Sequence, residues 1–336
     1  MMKQELLDFI LPNLDDYKIE SKIGESNFGV VYRSTNIKTG KEVAIKFIRN
    51  IWSLSDTKQQ KEILRNLAII RSSNLLGFLP IYSFRFPIGF DILSNFTGEY
   101  SKCAIVIMKY MKNGSLKQII KEYLDSKGKK SDILNPTRRS KIIYGIAAIM
   151  KRAHNRNIVH RSLHLGNIFL DENFEPQISD FSLTRLTPDP FQIMNSFNYT
   201  FIMPPENLAN DDTPYEPSGD VYSFAFLLYR MFVSKIHYSS KISFELCKGK
   251  RLERPTIIPD CYWELIQCCW SHSPNKRPTF DEITAALKDD RFAIEEFGMK
   301  TDLDQLHEYQ ARIDSDEINC PFCFSQKMSN LIQKNH

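Results

Sequence analysis

A chain of 336 residues with 42% hydrophobic and 12% aromatic side chains can bury a sizeable core, in one two-lobed unit or two smaller domains, so wholesale disorder is excluded. The formal net charge is only +4, and no clustered basic surplus for tracking nucleic-acid phosphates is expected. Seven cysteines, an odd number without framework spacing, point to reduced thiols in a cytoplasmic setting.

The first residues, Met1 to Asp8, lack a continuous apolar run, so no signal peptide is expected. Three short, β-branched and partly alternating runs follow at 17–20, 30–34 and 42–48, with a hairpin turn at 38–41 between the last two. Residues 57–71 switch to helical spacing, with Ile63, Leu67 and Ile70 on one face. Apolar runs at 79–86 and 103–110 flank a loop containing Pro, Gly and Asn at 87–102.

Beyond Asn113-Gly114 the pattern is mostly helical. An amphipathic helix is predicted over 116–124 and a basic loop at 127–130. A longer helix begins around Pro136 and runs to about Asn155. Further helices are predicted at 220–233 and 260–270. The first holds the most apolar stretch, but it is shorter than the roughly 18 residues of a spanning helix and contains Arg230, so no membrane span is expected. From about Gly298 the chain turns polar and loses periodicity, which predicts a tail.

Chemistry-bearing residues recur in a fixed order. Gly24-Glu25-Ser26-Asn27-Phe28-Gly29 lies between two strands, and small residues there let backbone N–H groups approach phosphate oxygens. Alone it reads better as a plain hairpin. Val43-Ala44-Ile45-Lys46 follows, and Glu62 lies sixteen residues after Lys46 on the predicted helix; singly these are a surface lysine and an ordinary helix glutamate. Then come Tyr110-Met111-Lys112-Asn113-Gly114-Ser115-Leu116, His160-Arg161-Ser162-Leu163-His164-Leu165-Gly166-Asn167, and Asp180-Phe181-Ser182. Met203-Pro204-Pro205-Glu206, Asp220-Val221-Tyr222-Ser223-Phe224, and Cys269-Trp270 with Arg277-Pro278-Thr279-Phe280 complete the series.

This order resembles the landmarks of eukaryotic protein kinases, and the hinge and Cys-Trp segments resemble the tyrosine-kinase-like group. The resemblance implies an α+β, bilobal protein-kinase fold, with a small antiparallel-sheet N-lobe carrying one helix and a larger helical C-lobe. The implied division is an N-terminal extension at 1–16, an N-lobe at 17–111, a C-lobe at 112–295 and a polar tail at 296–336.

The resemblance also implies a nucleotide site for ATP and Mg²⁺. Gly24, Ser26 and Gly29 would cover the phosphates, and Lys46, paired with Glu62, would neutralise them. Asn167 and Asp180 would hold Mg²⁺. Met108 would be the gatekeeper and Lys109, Tyr110 and Met111 the hinge. Val31 and Ala44 would lie above the base and Phe169 below it. Glu206 and Arg277 would form a structural ion pair. Arg161 would either meet a phosphate on Ser196, Tyr199 or Thr200 or brace the loop backbone.

Five positions depart from the family pattern. Ser26 and Ser182 replace glycines, and Asn66 stands where an apolar residue is expected one turn after Glu62. Most important, Ser162 replaces the catalytic aspartate, the group that takes the proton of the substrate hydroxyl. Tyr199 occupies the position of the residue that would touch that aspartate, and His164 looks like lineage rather than compensation. A catalytically impaired, nucleotide-binding pseudokinase that signals through protein partners is therefore expected. The alternatives are an active Ser/Thr kinase acting on protein substrates and a scaffold that binds no nucleotide. Cys320 and Cys323 with His336 make half a zinc site, and zinc is not expected there.

Overall fold

Alternation in the first hundred residues becomes a five-stranded antiparallel sheet because every second side chain has a core to enter. A computed structural model describes residues 14–26, 29–48, 77–85, 104–129, 133–180, 203–209, 213–235, 245–246 and 248–318. These fall into two units: one holds the sheet, and the other holds residues 77–78 and everything described from 113 onward.

In the first unit, β1 (Tyr17–Ser26), β2 (Gly29–Asn36), β3 (Glu42–Ile48), β4 (Ile81–Arg85) and β5 (Ala104–Lys109) are ordered β1-β2-β3-β5-β4. Asn36 makes the turn into β3: its side-chain oxygen accepts from the backbone N–H of Lys38 at 3.1 Å and of Thr39 at 2.9 Å. Gly40 then closes the turn with φ +68°, a conformation that favours glycine.

Register decides the two faces. Val30 opposes Phe47, Tyr32 opposes Ile45, and Ile45 opposes Ile107. Val30, Val43, Ile45, Phe47, Ile105 and Ile107 form one buried cluster, against which Tyr17, Ile19, Tyr32 and Tyr82 pack. Each fully buried apolar side chain contributes about 1.5–3 kcal/mol by leaving water. Leu14, expected in an N-terminal extension, belongs to this cluster, and Asp16 accepts from the Ile37 backbone at 2.8 Å. The predicted helix at 57–71, with Glu62 on it, lies outside the described residues.

The second unit contains α1 (Leu116–Asp125), α2 (Pro136–His154), a hairpin of β6 (Ile168–Leu170) and β7 (Pro176–Ile178), α3 (Pro205–Ala209), α4 (Pro217–Phe232), α5 (Asp260–Cys269) and α6 (Phe280–Ala286). Asn135 caps α2 by accepting from Arg138 N at 2.8 Å, and Pro136 fills the first turn, where no N–H is needed. Lys151 and Arg152 place positive charge at its C-terminal end, which suits the helix dipole. α4 starts at Pro217, three residues before the expected Asp220, for the same reason as α2. Thr279 and Glu282 form a capping box at α6.

The expected polar tail is corrected in part. Residues Glu295–Glu296 (β8) and Met299–Lys300 (β9) form a hairpin, and Leu303–Ile318 form a helix, α7. Leu306, Tyr309, Gln310 and Ile313 bury at helical spacing, a narrow stripe diluted by charged neighbours, which is why the periodicity is faint. The helix packs against α2, where Gly145 makes room: a Cβ there would lie 2.4 Å from the Tyr309 hydroxyl. Residues 319–336, including Cys320, Cys323 and His336, lie outside the described residues. No described helix is long and apolar enough to cross a membrane.

Candidate functional site

In the sheet unit, β1 and β2 continue to the tip of the expected glycine-rich element, with Gly24 opposite Val31 and Ser26 opposite Gly29. Asn27 and Phe28 lie outside the described residues. Gly29 has a steric reason to be glycine, since a Cβ would stand 2.0 Å from the carbonyl oxygen of Phe47 in β3. Gly24 has no such reason: its Cβ would meet Val31 at 3.8 Å, an ordinary contact.

Lys46 is the cross-strand neighbour of both Val31 and Val106, and Ala44 is that of Met108. Strand alternation therefore puts Val31, Ala44, Lys46 and Met108 on one face, opposite the apolar cluster. Beyond β5, Lys109 N donates to Pro80 O at 3.0 Å, and Met111 is buried. Tyr110 lies with its ring centroid 5.4 Å from the Arg33 guanidinium.

A feature absent from the expected set ties this segment down. Glu42 accepts from Arg33 Nε at 2.9 Å and pairs with Lys112 at 3.2 Å. The hydrogen bond from Arg33, then that from Lys112, holds its carboxyl below the usual carboxylate range. Only the charge alternation of Arg33 and Glu42 on paired strands hinted at this bridge.

The second unit holds the loop at 160–167, and a buried carboxylate organises it. Asp220, fully buried in α4, accepts from His160 N and Arg161 N at 2.7 Å each, and lies 3.0 Å from His154 Nε2. His160, also fully buried, accepts from Ser162 N through Nδ1 at 3.1 Å, so its proton sits on Nε2, which donates to Ser179 O at 2.9 Å. Burial pushes this imidazole below its usual pKa, which agrees with a neutral ring.

Ser162 is 3% exposed. Asn167 Nδ2 donates to its carbonyl at 2.9 Å and to its hydroxyl at 3.2 Å. Asn167 O in turn accepts from Ser179 N at 2.8 Å, which brings Asn167 beside the residue preceding Asp180. With its amide nitrogen held by Ser162, the side-chain oxygen is the Asn167 atom that could hold a cation. Arg161 and Asp180 have left-handed backbones, φ +70° and +61°, each unfavourable by about 1 kcal/mol or more for a residue with a side chain. The bonds to Asp220 and Asn167 on either side hold those conformations.

His164 caps the short turn Leu165–Asn167 by accepting from Gly166 N at 3.0 Å, so Nδ1 is engaged in structure. Phe169 sits in β6 opposite Gln177 and bridges to Ser115. The expected Glu206–Arg277 pair forms, bidentate at 2.6 and 2.9 Å. Phe181, Ser182, Ser196, Tyr199 and Thr200 lie outside the described residues.

The Asn167 amide oxygen and the Asp180 carboxylate are hard oxygen donors that fit Mg²⁺, an ion that keeps water and phosphate among its ligands. Among the described residues no group of three or more His, Cys, Asp or Glu gathers as an all-protein metal cage.

The model of the family described as protein tyrosine and serine/threonine kinase matches residues 17–287. A probable serine/threonine-protein kinase of Dictyostelium discoideum is 29% identical over 280 residues, covering 82% of this chain and 20% of that protein. The dual specificity protein kinase shkB of the same organism is 28% identical over 279 residues, covering 80% and 39%. Receptor-interacting serine/threonine-protein kinase 4 of Mus musculus is 26% identical over 286 residues, covering 80% and 33%. The chain thus spans between 20% and 39% of the length of these relatives.

Proposed function

This chain belongs to the protein tyrosine and serine/threonine kinase family, and from that premise we propose that it is a pseudokinase of the tyrosine-kinase-like group. It binds ATP and Mg²⁺ in the cytoplasm and signals through protein partners. The observation that carries this reading is position 162: a serine stands where the family's proton acceptor belongs, its N–H held by His160 and its carbonyl by Asn167.

The nucleotide-facing residues are kept. Lys46 neutralises phosphate charge from a sheet face shared with Val31, Ala44 and Met108. Asn167, oriented by Ser162, and Asp180, fixed in its left-handed conformation, hold the cation. Bound ATP with Mg²⁺ supplies the transferable phosphoryl group and spreads its charge. Ser162 offers a neutral hydroxyl that accepts from Asn167 and cannot take a proton at pH 7. Loss of a general base lowers rate by roughly 10²–10⁴-fold.

A weakly active Ser/Thr kinase is the second reading, favoured by the intact lacing of Asn167 and Ser179, because positioning alone carries part of phosphoryl transfer. One experiment separates the two. Mg·ATP raises the melting temperature of the wild type by mass action, while phosphate incorporation stays at background. Ser162→Asp then gains incorporation by about 10²-fold. Robust wild-type incorporation that disappears in Lys46→Met overturns the pseudokinase reading, and no thermal shift overturns nucleotide binding.

A further inference from the structure

Helix α7 lies beyond residue 287, where the family match ends, yet it is built into the rear of the loop that carries the candidate cation ligands. On one side it grips α2. Arg152 donates to Ile313 O at 2.5 Å, Tyr144 donates to Asp314 at 2.8 Å, and the Tyr144 and Tyr309 ring centroids stand 6.4 Å apart. On the other side it reaches β7. The Tyr309 hydroxyl and Pro176 Cγ lie 2.4 and 2.8 Å from the same point, the position a Cβ on Gly145 would take. Arg312 pairs with Glu175, the residue before Pro176.

β7 runs directly into Ser179 and Asp180. Its end is tied by two backbone bonds, Ile178 N to Gly77 O at 2.7 Å and Ser179 N to Asn167 O at 2.8 Å. α2 leads through His154 into the loop that Asp220 holds. One helix therefore presses together the two chain segments that converge on Asn167 and Asp180.

We propose that α7 is a positioning element for the Asn167–Asp180 pair, with Tyr309 and Arg312 as its positioning residues. The inference rests on the reading that this pair holds Mg²⁺ for a bound nucleotide. Tyr309 acts by filling the notch between Gly145 and Pro176 with its hydroxyl end while its ring packs edge-on against Tyr144. Arg312 adds a peripheral clamp through Glu175.

The test uses the full chain with Tyr309→Ala, Tyr309→Phe and Arg312→Ala, reading amide hydrogen exchange and nucleotide affinity. Tyr309→Ala speeds exchange at Ile178, Ser179 and Asn167 about tenfold relative to the amides of β3. It weakens Mg·ATP about tenfold and leaves ATP in EDTA unchanged. Tyr309→Phe, which keeps the ring against Tyr144 and empties only the hydroxyl end of the notch, shifts both readings in the same direction but by less than Tyr309→Ala. Uniform or unaltered exchange in Tyr309→Ala, or an equal loss with Mg²⁺ and with EDTA, overturns the proposal as a merely structural effect. Should Tyr309→Ala fail to fold, Arg312→Ala decides by the same readings, with about a threefold local change expected. A wild type that binds no nucleotide sinks the functional reading alone, and the exchange comparison then decides the brace by itself.

Discussion

The glycine-rich hairpin and the 160–167 loop carry their candidate site residues by opposite means. In the hairpin and its neighbour β3, side chains are aimed by strand alternation. In the loop, the backbone itself is the device. Asp220 holds two successive N–H groups, and His160 and Asn167 hold both backbone polar groups of Ser162. The difference teaches where chemistry can change without loss of fold. Position 162 contributes its N–H and its carbonyl to the scaffold, and any residue has those. The aspartate is replaceable there because the side chain is the only part the scaffold does not need.

The largest effect comes from attacking the loop's anchor. Asp220→Ala leaves the N–H groups of His160 and Arg161 buried and unbonded, a penalty of about 3–5 kcal/mol. Chemical denaturation measures it, and a loss below about 1 kcal/mol would mean that water or relaxation replaces the carboxylate. The sheet responds to a different kind of change. Gly29→Ala drives a methyl into the Phe47 carbonyl and destabilises by about 1–3 kcal/mol, whereas Gly24→Ala, which makes only an ordinary contact with Val31, is close to neutral. Equal effects at the two glycines would overturn the claim that only one is required by close approach.

These two regions were also unequally legible. β3 has the same limits in sequence and structure, since a β-branched run with a turn before it is a local signal. The loop was legible through motif order, because His160, Asn167, Asp180 and Asp220 are spaced residues of fixed type. What escaped were partnerships made at long range. Arg139 is buried with Glu296 from β8, and the Tyr123 hydroxyl donates to the same carboxylate at 2.9 Å. Nothing within a helical turn of Arg139 announces a partner 157 positions away. Tyr309 against Gly145 is the same case: a glycine inside a helix reads as a weakness until the tyrosine hydroxyl that needs its space is known.

The smallest expected effect is the sharpest test of the contrast. Ser162→Ala removes only the hydroxyl that accepts from Asn167 at 3.2 Å, while the 2.9 Å bond from the same nitrogen to the Ser162 carbonyl stays. The amide is left with a partner, so no buried donor is orphaned and stability falls by at most about 1 kcal/mol. Phosphate incorporation does not change, because the hydroxyl was no base to begin with. A loss above about 2 kcal/mol would mean that the side chain belongs to the scaffold after all. A drop in incorporation would mean that the serine takes part in transfer, and the separation of chemistry from lacing at this position would fail. With neither change, the backbone of residue 162 does the structural work and its hydroxyl no chemistry.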